Sequence, residues 1–164
     1  MVTVGLADDH VVVRQGLRLL LQTDPVLSVV GEAANGLEAM AMVKRLKPHV
    51  LILDLMMPAP DGLEVTRRLT KLKLGTRVII LTMYGDAAFL LDALKAGAAG
   101  YVVKESCGTE LLQAIHEVAA GRRYLSPALD AIVREFPAVS PRIAGPRTAA
   151  KVSRRSSRPA ARAL

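Results

Sequence analysis

Short apolar runs recur along this chain at nearly even intervals, and a stretch with helical periodicity follows each of them. The runs begin near residues 2, 27, 49, 77 and 99, at spacings of 25, 22, 28 and 22 residues. Each spacing leaves room for one strand and one helix. The sequence therefore predicts five β-α units, an order that favours a parallel sheet with helices on both faces.

Helical faces and capping residues support this order. One stretch places apolar side chains at Val13, Leu17, Leu20 and Leu21 and polar ones at Arg14, Arg18 and Gln22. A second stretch repeats the apolar spacing at Leu111, Ile115 and Val118. Asn35 and Asp61 are predicted to begin helices, and Gly75 and Gly97 to follow them.

The excess positive charge lies at the C-terminal end of the chain. Of the net charge of +7, residues 1–136 contribute nothing, because they hold 15 Lys/Arg and 15 Asp/Glu. Residues 137–164 hold seven basic residues and no acidic one, and are rich in Ala, Arg, Pro, Ser and Gly without apolar periodicity. That composition is typical of disordered segments. We therefore predict a neutral folded domain and a disordered basic tail.

Several protein classes are disfavoured by composition. No apolar run approaches the roughly 18 residues of a membrane span. The N-terminal "MVTVGLADDH" lacks the basic start of a signal peptide. A single cysteine, Cys107, rules out an internal disulfide and a CxxC site. We expect a soluble cytoplasmic protein that does not associate with membranes.

Polar residues stand where the predicted strands end. The stretch "VLILDLMMPAPDG" ends an apolar run on Asp54, and other runs lead to Asp8–Asp9, to Thr82 and, past Tyr101, to Lys104. In parallel α/β sheets, ligands bind outside the carboxyl ends of the strands. We therefore expect these side chains to meet at one edge of the sheet.

Three carboxylates at that edge would repel one another, and a divalent cation would relieve the repulsion. Mg²⁺ prefers oxygen ligands in octahedral geometry. Asp9 and Asp54 can supply direct oxygens, Asp8 a direct or water-mediated one, and Met56 a backbone carbonyl. The sequence therefore predicts Mg²⁺ as the cofactor.

The same residues suggest phosphoryl transfer. Asp54 would act as nucleophile toward a phosphoryl donor, and Lys104 would neutralise charge on the phosphoryl oxygens. The Thr82 hydroxyl would then bond a phosphoryl oxygen, and its movement would let the Tyr101 ring turn inward as a packing switch.

Each residue taken alone has a simpler interpretation. Asp8–Asp9 would serve as an N-cap pair, Asp54 as a solvated loop residue, Thr82 as a helix cap and Lys104 as a surface lysine. Their joint position at four strand ends of one predicted sheet argues against all four simpler roles.

The motifs together resemble a known family. "VGLADDHVVVRQGLRLLL", "LILDLMMPAPDGLEVTRRL", "VIILTMY", "ALKAGAAGYVVKE" and "ELLQAIHEVAAGRRYLSP" are similar to the receiver domain of bacterial two-component response regulators. The resemblance is to the NarL/FixJ branch, which ends in a LuxR-type helix-turn-helix. It covers roughly residues 1–128 and includes the positions of Asp8, Asp9, Asp54, Thr82 and Lys104.

That resemblance implies a flavodoxin-like (CheY-like), doubly wound, five-stranded α/β fold. It divides the chain into a receiver domain (1–122), a linker or short helix (123–136) and the basic tail (137–164). It also implies a sensor histidine kinase as phosphoryl donor, dimerisation on phosphorylation, and no enzymatic activity beyond the receiver's own phosphorylation and dephosphorylation.

Three departures from the family pattern stand out. Lys104 precedes Glu105 rather than a proline, and the bulky Met83 follows Thr82. Beyond "YLSP", the chain has "AVSPRIAGPRTAAKVSRRSSRPAARAL" where the branch has its DNA-binding domain. A shifted reading frame, or a degenerate or truncated effector region, would yield such a sequence.

The sequence leaves alternatives to the receiver interpretation: a DNA-binding regulator, and a flavin module or a phosphatase. A DNA-binding regulator would use basic residues of the tail, Arg154, Arg155 and Arg158, for salt-dependent and non-specific contacts. A flavin module or an aspartate-nucleophile phosphatase is disfavoured, because aromatic loops are absent and Met56 stands where such a phosphatase has its second acid.

Overall fold

The computed structural model describes residues 1–136, in which strands and helices alternate. The strands are β1 (Val2–Ala7), β2 (Leu27–Ala33), β3 (Val50–Asp54), β4 (Arg77–Thr82), β5 (Gly100–Val103) and β6 (Tyr124–Leu125). The helices are α1 (Val11–Gln22), α2 (Gly36–Leu46), α3 (Gly62–Leu72), α4 (Ala87–Ala96), α5 (Cys107–Ala119) and α6 (Pro127–Glu135). A 3₁₀ turn, Lys104–Ser106, connects β5 to α5. Within residues 1–136, no helix combines the length and apolar character needed to cross a membrane.

All strands run parallel in one sheet with the order β2-β1-β3-β4-β5-β6. From β1 the chain passes outward to β2, then returns to the other side of β1 to form β3. The winding direction therefore reverses between β1 and β3, where open α/β sheets bind ligands at the carboxyl ends of their strands. The predicted doubly wound, flavodoxin-like α/β fold is confirmed.

Each face of the sheet carries its own hydrophobic cluster, and β3 contributes to both because its side chains alternate. Leu51 and Leu53 point toward the cluster that contains residues of α2, α3, α4 and α6. Val50 and Ile52 point toward the cluster formed with α1 and α5. All of β3 is buried, and burial of each such aliphatic side chain stabilises the fold by about 1.5–3 kcal/mol.

The prediction of five strands is wrong by one, because β6 extends the sheet beside β5. The backbone amide of Tyr124 donates to the Ala99 carbonyl at 3.1 Å, and that of Ser126 donates to the Tyr101 carbonyl at 3.0 Å. A strand of two residues is too short to leave an alternating pattern in the sequence. Its pairing depends on the neighbouring strand, which sequence periodicity does not report.

The predicted helix starts are confirmed, and both glycines follow a helix as predicted, although only Gly97 is the C-cap. Asn35 and Asp61 are N-caps whose carboxamide and carboxylate oxygens accept hydrogen bonds from the amides three residues later. Gly97 ends α4 with a φ of 103°. Gly75 follows α3 at a distance of two residues from the C-cap, Lys73, which takes the left-handed conformation with a φ of 50°. The left-handed conformation is unfavourable for a residue with a side chain. A lysine at a helix C-terminus offsets part of that energetic cost by its favourable interaction with the helix dipole.

Residues 123–136, predicted as a linker or short helix, contain β6 and α6. α6 buries Leu129 and Val133 in the cluster that also holds α4. At its start, the buried Ser126 hydroxyl donates to the Glu110 carboxylate at 2.5 Å. The predicted basic tail, residues 137–164, lies outside the described residues.

Candidate functional site

The polar residues predicted at the strand ends lie at one edge of the sheet. Asp8 follows β1, Asp54 ends β3, Thr82 ends β4 and Lys104 follows β5. Exposed fractions are 2% for Asp8, 3% for Asp54 and 0% for Thr82. Buried polar groups are costly unless neighbouring groups compensate them. The carboxyl edge of the sheet is therefore the candidate site.

Four side chains at this edge form an acidic cluster. Asp8, Asp9, His10 and Asp54 each offer a ligand atom, and these atoms all lie within 4.8 Å of one another. The Asp8 carboxylate accepts a hydrogen bond from the His10 amide at 2.8 Å, an arrangement that fixes the turn between β1 and α1. Three carboxylates in such a space suit a hard divalent cation, which prefers oxygen ligands.

The simpler roles proposed for the acidic pair do not apply. The N-cap of α1 is His10, whose side chain makes no capping hydrogen bond. Its imidazole Nδ1 lies 3.1 Å from Asp8 Oδ1 and 3.0 Å from Asp9 Oδ1, with the side chain 65% exposed. Asp8 and Asp9 are therefore turned toward the cluster rather than toward the helix N-terminus.

Lys104 is a partly buried member of the site rather than a solvated surface lysine. Its Nζ lies 2.9 Å from Asp8 Oδ2 and 3.5 Å from Asp54 Oδ1, and its side chain is only 12% exposed. The 3₁₀ turn after β5 begins at this residue, so the strand end directs the side chain across the edge toward β1 and β3.

The electrostatics of the site are unbalanced toward negative charge. Burial raises the pKa of Asp54 above its ordinary value, the Asp8 charge adds to that rise, and Lys104 opposes it. Burial alone would lower the pKa of Lys104, but its hydrogen bond to Asp8 and the charge of Asp54 outweigh burial and leave the pKa raised. The single positive charge of Lys104 is thus shared by Asp8 and Asp54 and does not fully neutralise them.

Thr82 and Tyr101 meet at the same backbone unit. The Tyr84 amide donates to the Thr82 hydroxyl oxygen at 3.2 Å, and the Tyr101 hydroxyl donates to the Tyr84 carbonyl at 2.7 Å. Tyr101 is fully buried, so its ring already occupies the inward position. Thr82 does not cap a helix, since the N-cap of α4 is Asp86.

Two methionines flank the site. The Met56 amide donates to Asp54 Oδ1 at 3.3 Å, and its side chain is 51% exposed. The backbone carbonyl of Met56 as a metal ligand stays a prediction. Met83 is 59% exposed and lines an apolar groove of about 300 Å³ together with Lys104 and Cys107.

Arg14 is a site residue that sequence reasoning missed. Its Nη1 donates to the Asp8 backbone carbonyl at 2.5 Å, and its Nε lies 3.6 Å from Glu32 Oε2. The side chain is only 14% exposed, although the sequence pattern placed it on the outer face of α1. One signal was available: a basic residue near a helix N-terminus opposes the helix dipole and needs a specific partner.

The tail residues Arg154, Arg155 and Arg158, predicted to contact nucleic acid, lie outside the described residues. Their role therefore stays a prediction.

Comparisons with known proteins agree with the geometry of the site. A family model described as response regulator receiver domain matches residues 4–116. The chain is 49% identical over 125 residues to the DNA-binding transcriptional activator DevR/DosR of Mycobacterium tuberculosis, an alignment that covers 76% of this chain and 58% of the relative. It is 37% identical over 131 residues to the nitrate/nitrite response regulator protein NarL of Escherichia coli, covering 80% and 61% of the two chains.

Solved structures give the same assignment. A two-component response regulator of the LuxR family from Aurantimonas superposes with a TM-score of 0.79 at 39% identity, covering 84% of this chain and 99% of that one. The chain spans about 60% of the length of the two curated relatives. From the matched family model, the identities and the site at the sheet edge, this chain belongs to the response regulator receiver domain family.

Proposed function

We propose that the chain is the phosphoacceptor receiver of a two-component phosphorelay, with Asp54 as the residue that takes the phosphoryl group. The observation that carries the proposal is the buried Asp54 carboxylate at the end of β3, with Lys104 Nζ 3.5 Å away and the acidic pair beside it. A carboxylate kept in so costly a position is typical of functional sites.

The donor would be the phosphohistidine of a sensor histidine kinase. One Asp54 oxygen attacks the phosphorus, the bond between phosphorus and the imidazole nitrogen breaks, and its electron pair returns to the donor's imidazole. Asp54 then carries an acyl phosphate, and Lys104 is close enough to bind a phosphoryl oxygen. Phosphoryl transfer needs positioning and charge neutralisation more than covalent assistance. The chain's own reactions would be this transfer and the hydrolysis of the acyl phosphate, in which water releases inorganic phosphate and restores the Asp54 carboxylate.

The carboxylates fit Mg²⁺ because they offer hard oxygen donors within a single cluster. We propose Asp9, Asp54 and the Met56 backbone carbonyl as ligands, with Asp8 binding directly or through water. When bound, the cation would neutralise the carboxylates and the phosphoryl oxygens. His10 is not expected to be a ligand, since imidazole nitrogen is softer than the donors Mg²⁺ prefers.

Thr82 and Tyr101 would carry the signal away from Asp54. A phosphoryl oxygen offers the Thr82 hydroxyl a charged acceptor, and charge-assisted hydrogen bonds are about twice as strong as neutral ones. Rotation of Thr82 toward it removes the acceptor of the Tyr84 amide. The loop between β4 and α4 then repacks around Tyr101, and a partner surface on α4 changes.

Incubation with acetyl phosphate and Mg²⁺ tests the proposal. Intact mass should rise by one phosphoryl group, the added mass should be lost in hydroxylamine as expected for an acyl phosphate, and EDTA should prevent labelling. Peptide mapping should place the group on the segment that contains Asp54. Labelling on a serine, threonine or histidine, stable to hydroxylamine, would contradict the assignment.

Met83→Ala is expected to shorten the half-life of the phosphorylated protein several-fold. Met83 directly follows Thr82 and lines the same groove as Lys104, so its side chain limits the approach of water to the acyl phosphate. The measurement is decay of the mass-shifted species after removal of acetyl phosphate. Leu37→Ala serves as the control, since Leu37 is similarly exposed, at 64%, but lies on α2. An unchanged half-life in Met83→Ala would refute the role.

Regulation of transcription is a second candidate role, supported by the printed description of one relative as a DNA-binding transcriptional activator. In this chain, Arg154, Arg155 and Arg158 of the basic tail would contribute contacts to DNA. We further propose a cytoplasmic location and dimerisation on phosphorylation. Light scattering before and after acetyl phosphate treatment measures the latter directly.

A further inference from the structure

The basic side chains of residues 1–136 fall into two groups. Seven of the 15 have a carboxylate oxygen within 4.0 Å: Arg14, Arg18, Arg67, Arg68, Lys104, Arg122 and Arg134. The other eight have no such partner among the described residues: Lys44, Arg45, Lys47, Lys71, Lys73, Arg77, Lys95 and Arg123. The groups differ in their place in the fold as well as in their pairing.

All eight unpaired cations lie at the amino edge of the sheet, opposite the candidate phosphorylation site. Six of them occupy the last turns or C-terminal ends of α2, α3 and α4. Arg77 is the first residue of β4, and Arg123 immediately precedes β6. In a parallel α/β sheet the helices run back against the strands, so helix ends and strand starts share one edge. We call these eight residues the basic edge.

Negative charge is nearly absent from this edge. The five turns that lead from a helix to the next strand contain one carboxylate, Asp24, which is already paired with His116 at 2.6 Å. Glu117, near the end of α5, pairs with Arg122. Residues 1–136 therefore have no net charge, but their charges are unevenly placed, with the acidic cluster at one edge of the sheet and the eight cations without a carboxylate partner at the other.

A cleft lies within the basic edge. It has a volume of about 290 Å³, and Lys73, Arg77 and Arg123 are the charged residues that line it. The hydroxyls of Thr70 and Thr76, which also line it, already donate to backbone carbonyls. The side-chain donors left for a ligand are therefore the three cations. Arg77 and Arg123 adjoin strands that are two positions apart, which separates their backbones by about 10 Å.

Helix stability explains only part of this pattern. A basic residue in the last turn of a helix interacts favourably with the helix dipole, by about 0.3–1 kcal/mol. That accounts for Lys44, Arg45, Lys71 and Lys95. It does not account for Arg77 on a strand or Arg123 in a turn, nor for the scarcity of carboxylates around them.

We propose that the basic edge binds the phosphate backbone of nucleic acid without reading its sequence. A compact anion would meet the three cations of the cleft, whereas the remaining five extend along the edge to α2. A chain of regularly spaced phosphates can contact many of the eight at once. The basic edge contains no aromatic residue for base stacking, and helices present only their C-terminal ends there, so base readout is not expected.

The tail strengthens this choice of partner. Residues 137–164 add seven basic residues and no acidic one, so their charge has the same sign as that of the basic edge. Both would be attracted to the same polyanion. The interaction is independent of the phosphoryl chemistry proposed for Asp54, because none of its residues belongs to that site.

The test is fluorescence anisotropy of a labelled mixed-sequence DNA duplex with the full chain, between about 50 and 200 mM NaCl, where counterion release dominates the salt dependence. The triple variant Lys73→Gln, Arg77→Gln, Arg123→Gln should reduce the slope of log Kobs against log salt by about 2–3. The matched control, Arg67→Gln, Arg68→Gln, Arg134→Gln, loses the same charge from paired cations and should reduce it by less than about 1.

Several results would overturn the proposal. They are an undetectable interaction of the unaltered chain at the lowest salt, equal slopes for the two triple variants, or loss of binding confined to Arg154→Gln, Arg155→Gln, Arg158→Gln in the tail. Binding to vesicles rich in phosphatidylserine with none to the duplex would assign the edge to a membrane surface instead. Thermal unfolding verifies that the variants fold. If the triple variant does not fold, the single variants Lys73→Gln and Arg123→Gln test the proposal instead. Each is expected to lower the slope of log Kobs against log salt by about 1.

Discussion

Asp54→Asn is expected to abolish labelling by acetyl phosphate in the presence of Mg²⁺. The amide nitrogen that replaces a carboxylate oxygen has no charge and is a poor nucleophile, so no acyl phosphate forms. Intact mass spectrometry over a time course measures the loss. Asp61→Asn is the control, because it makes the same chemical change at an exposed N-cap where asparagine caps equally well. Equal labelling of Asp54→Asn and the unaltered protein would remove Asp54 from its proposed role.

The same variant is expected to be more stable than the unaltered protein at pH 7 without metal. Burial and the Asp8 charge raise the pKa of Asp54 above the ordinary value of 3.8, so the folded state binds this proton more tightly than the unfolded state. Ionised Asp54 therefore lowers the free energy of unfolding above its folded-state pKa. That loss shrinks as the pH falls through the folded-state pKa and is gone below the unfolded-state value.

Urea unfolding across this pH range measures the difference between the two proteins. The excess stability of Asp54→Asn should decrease on acidification, and adding Mg²⁺ at pH 7 should decrease it as well, because the cation stabilises the protein that binds it more tightly. An Asp54→Asn protein less stable than the unaltered one at pH 7 would show that burial of the charge is fully compensated.

Lys104→Met is expected to have the opposite effect on stability. Methionine keeps much of the length of the side chain but removes the cation that lies 2.9 Å from Asp8 and 3.5 Å from Asp54. Removing one partner of a buried pair costs about 3–5 kcal/mol. Because Asp9 is exposed, the cluster is accessible to solvent. The expected loss in the free energy of unfolding is therefore nearer to about 2 kcal/mol. Phosphorylation by acetyl phosphate should slow by about 10²–10³-fold, as when one charge-stabilising group is removed from an active site.

Lys95→Met is the control for this change, since Lys95 is an exposed residue in the last turn of α4 without a carboxylate partner among residues 1–136. It should alter the free energy of unfolding by less than about 0.5 kcal/mol and leave the labelling rate unchanged. Part of the stability lost in Lys104→Met should return with Mg²⁺ or at lower pH, because either change reduces the carboxylate charge that remains unpaired. A stability loss that neither condition relieves would indicate lost packing rather than lost charge.

The parallel sheet could be predicted because it is encoded locally. The apolar run "VLIL" before Asp54 is buried on both faces, and buried parallel strands need such runs. The capping residues Asn35 and Asp61 act within one helical turn, which is also a local property. The site was predictable for a related reason, as strand ends in a parallel sheet meet at one edge whatever the side-chain details.

Features that depend on distant contacts were not predictable. β6 forms by pairing with the backbone of β5, and Arg14 is partly buried with its guanidinium bonded to the Asp8 carbonyl. The basic edge could not be predicted from the net charge, because equal counts of 15 acidic and 15 basic residues carry no information about where those residues lie in the fold.

In the proposed switch, Tyr84 would set an energetic threshold for signalling. Its amide and its carbonyl are held by Thr82 and Tyr101, respectively. Rotation of Thr82 removes one of these hydrogen bonds, which costs about 1 kcal/mol, and water can take its place because Tyr84 is 47% exposed. In the proposed switch, a charge-assisted hydrogen bond from Thr82 to a phosphoryl oxygen would exceed this small penalty. We expect the loop to sample both arrangements before phosphorylation, so that the phosphoryl group shifts an existing equilibrium.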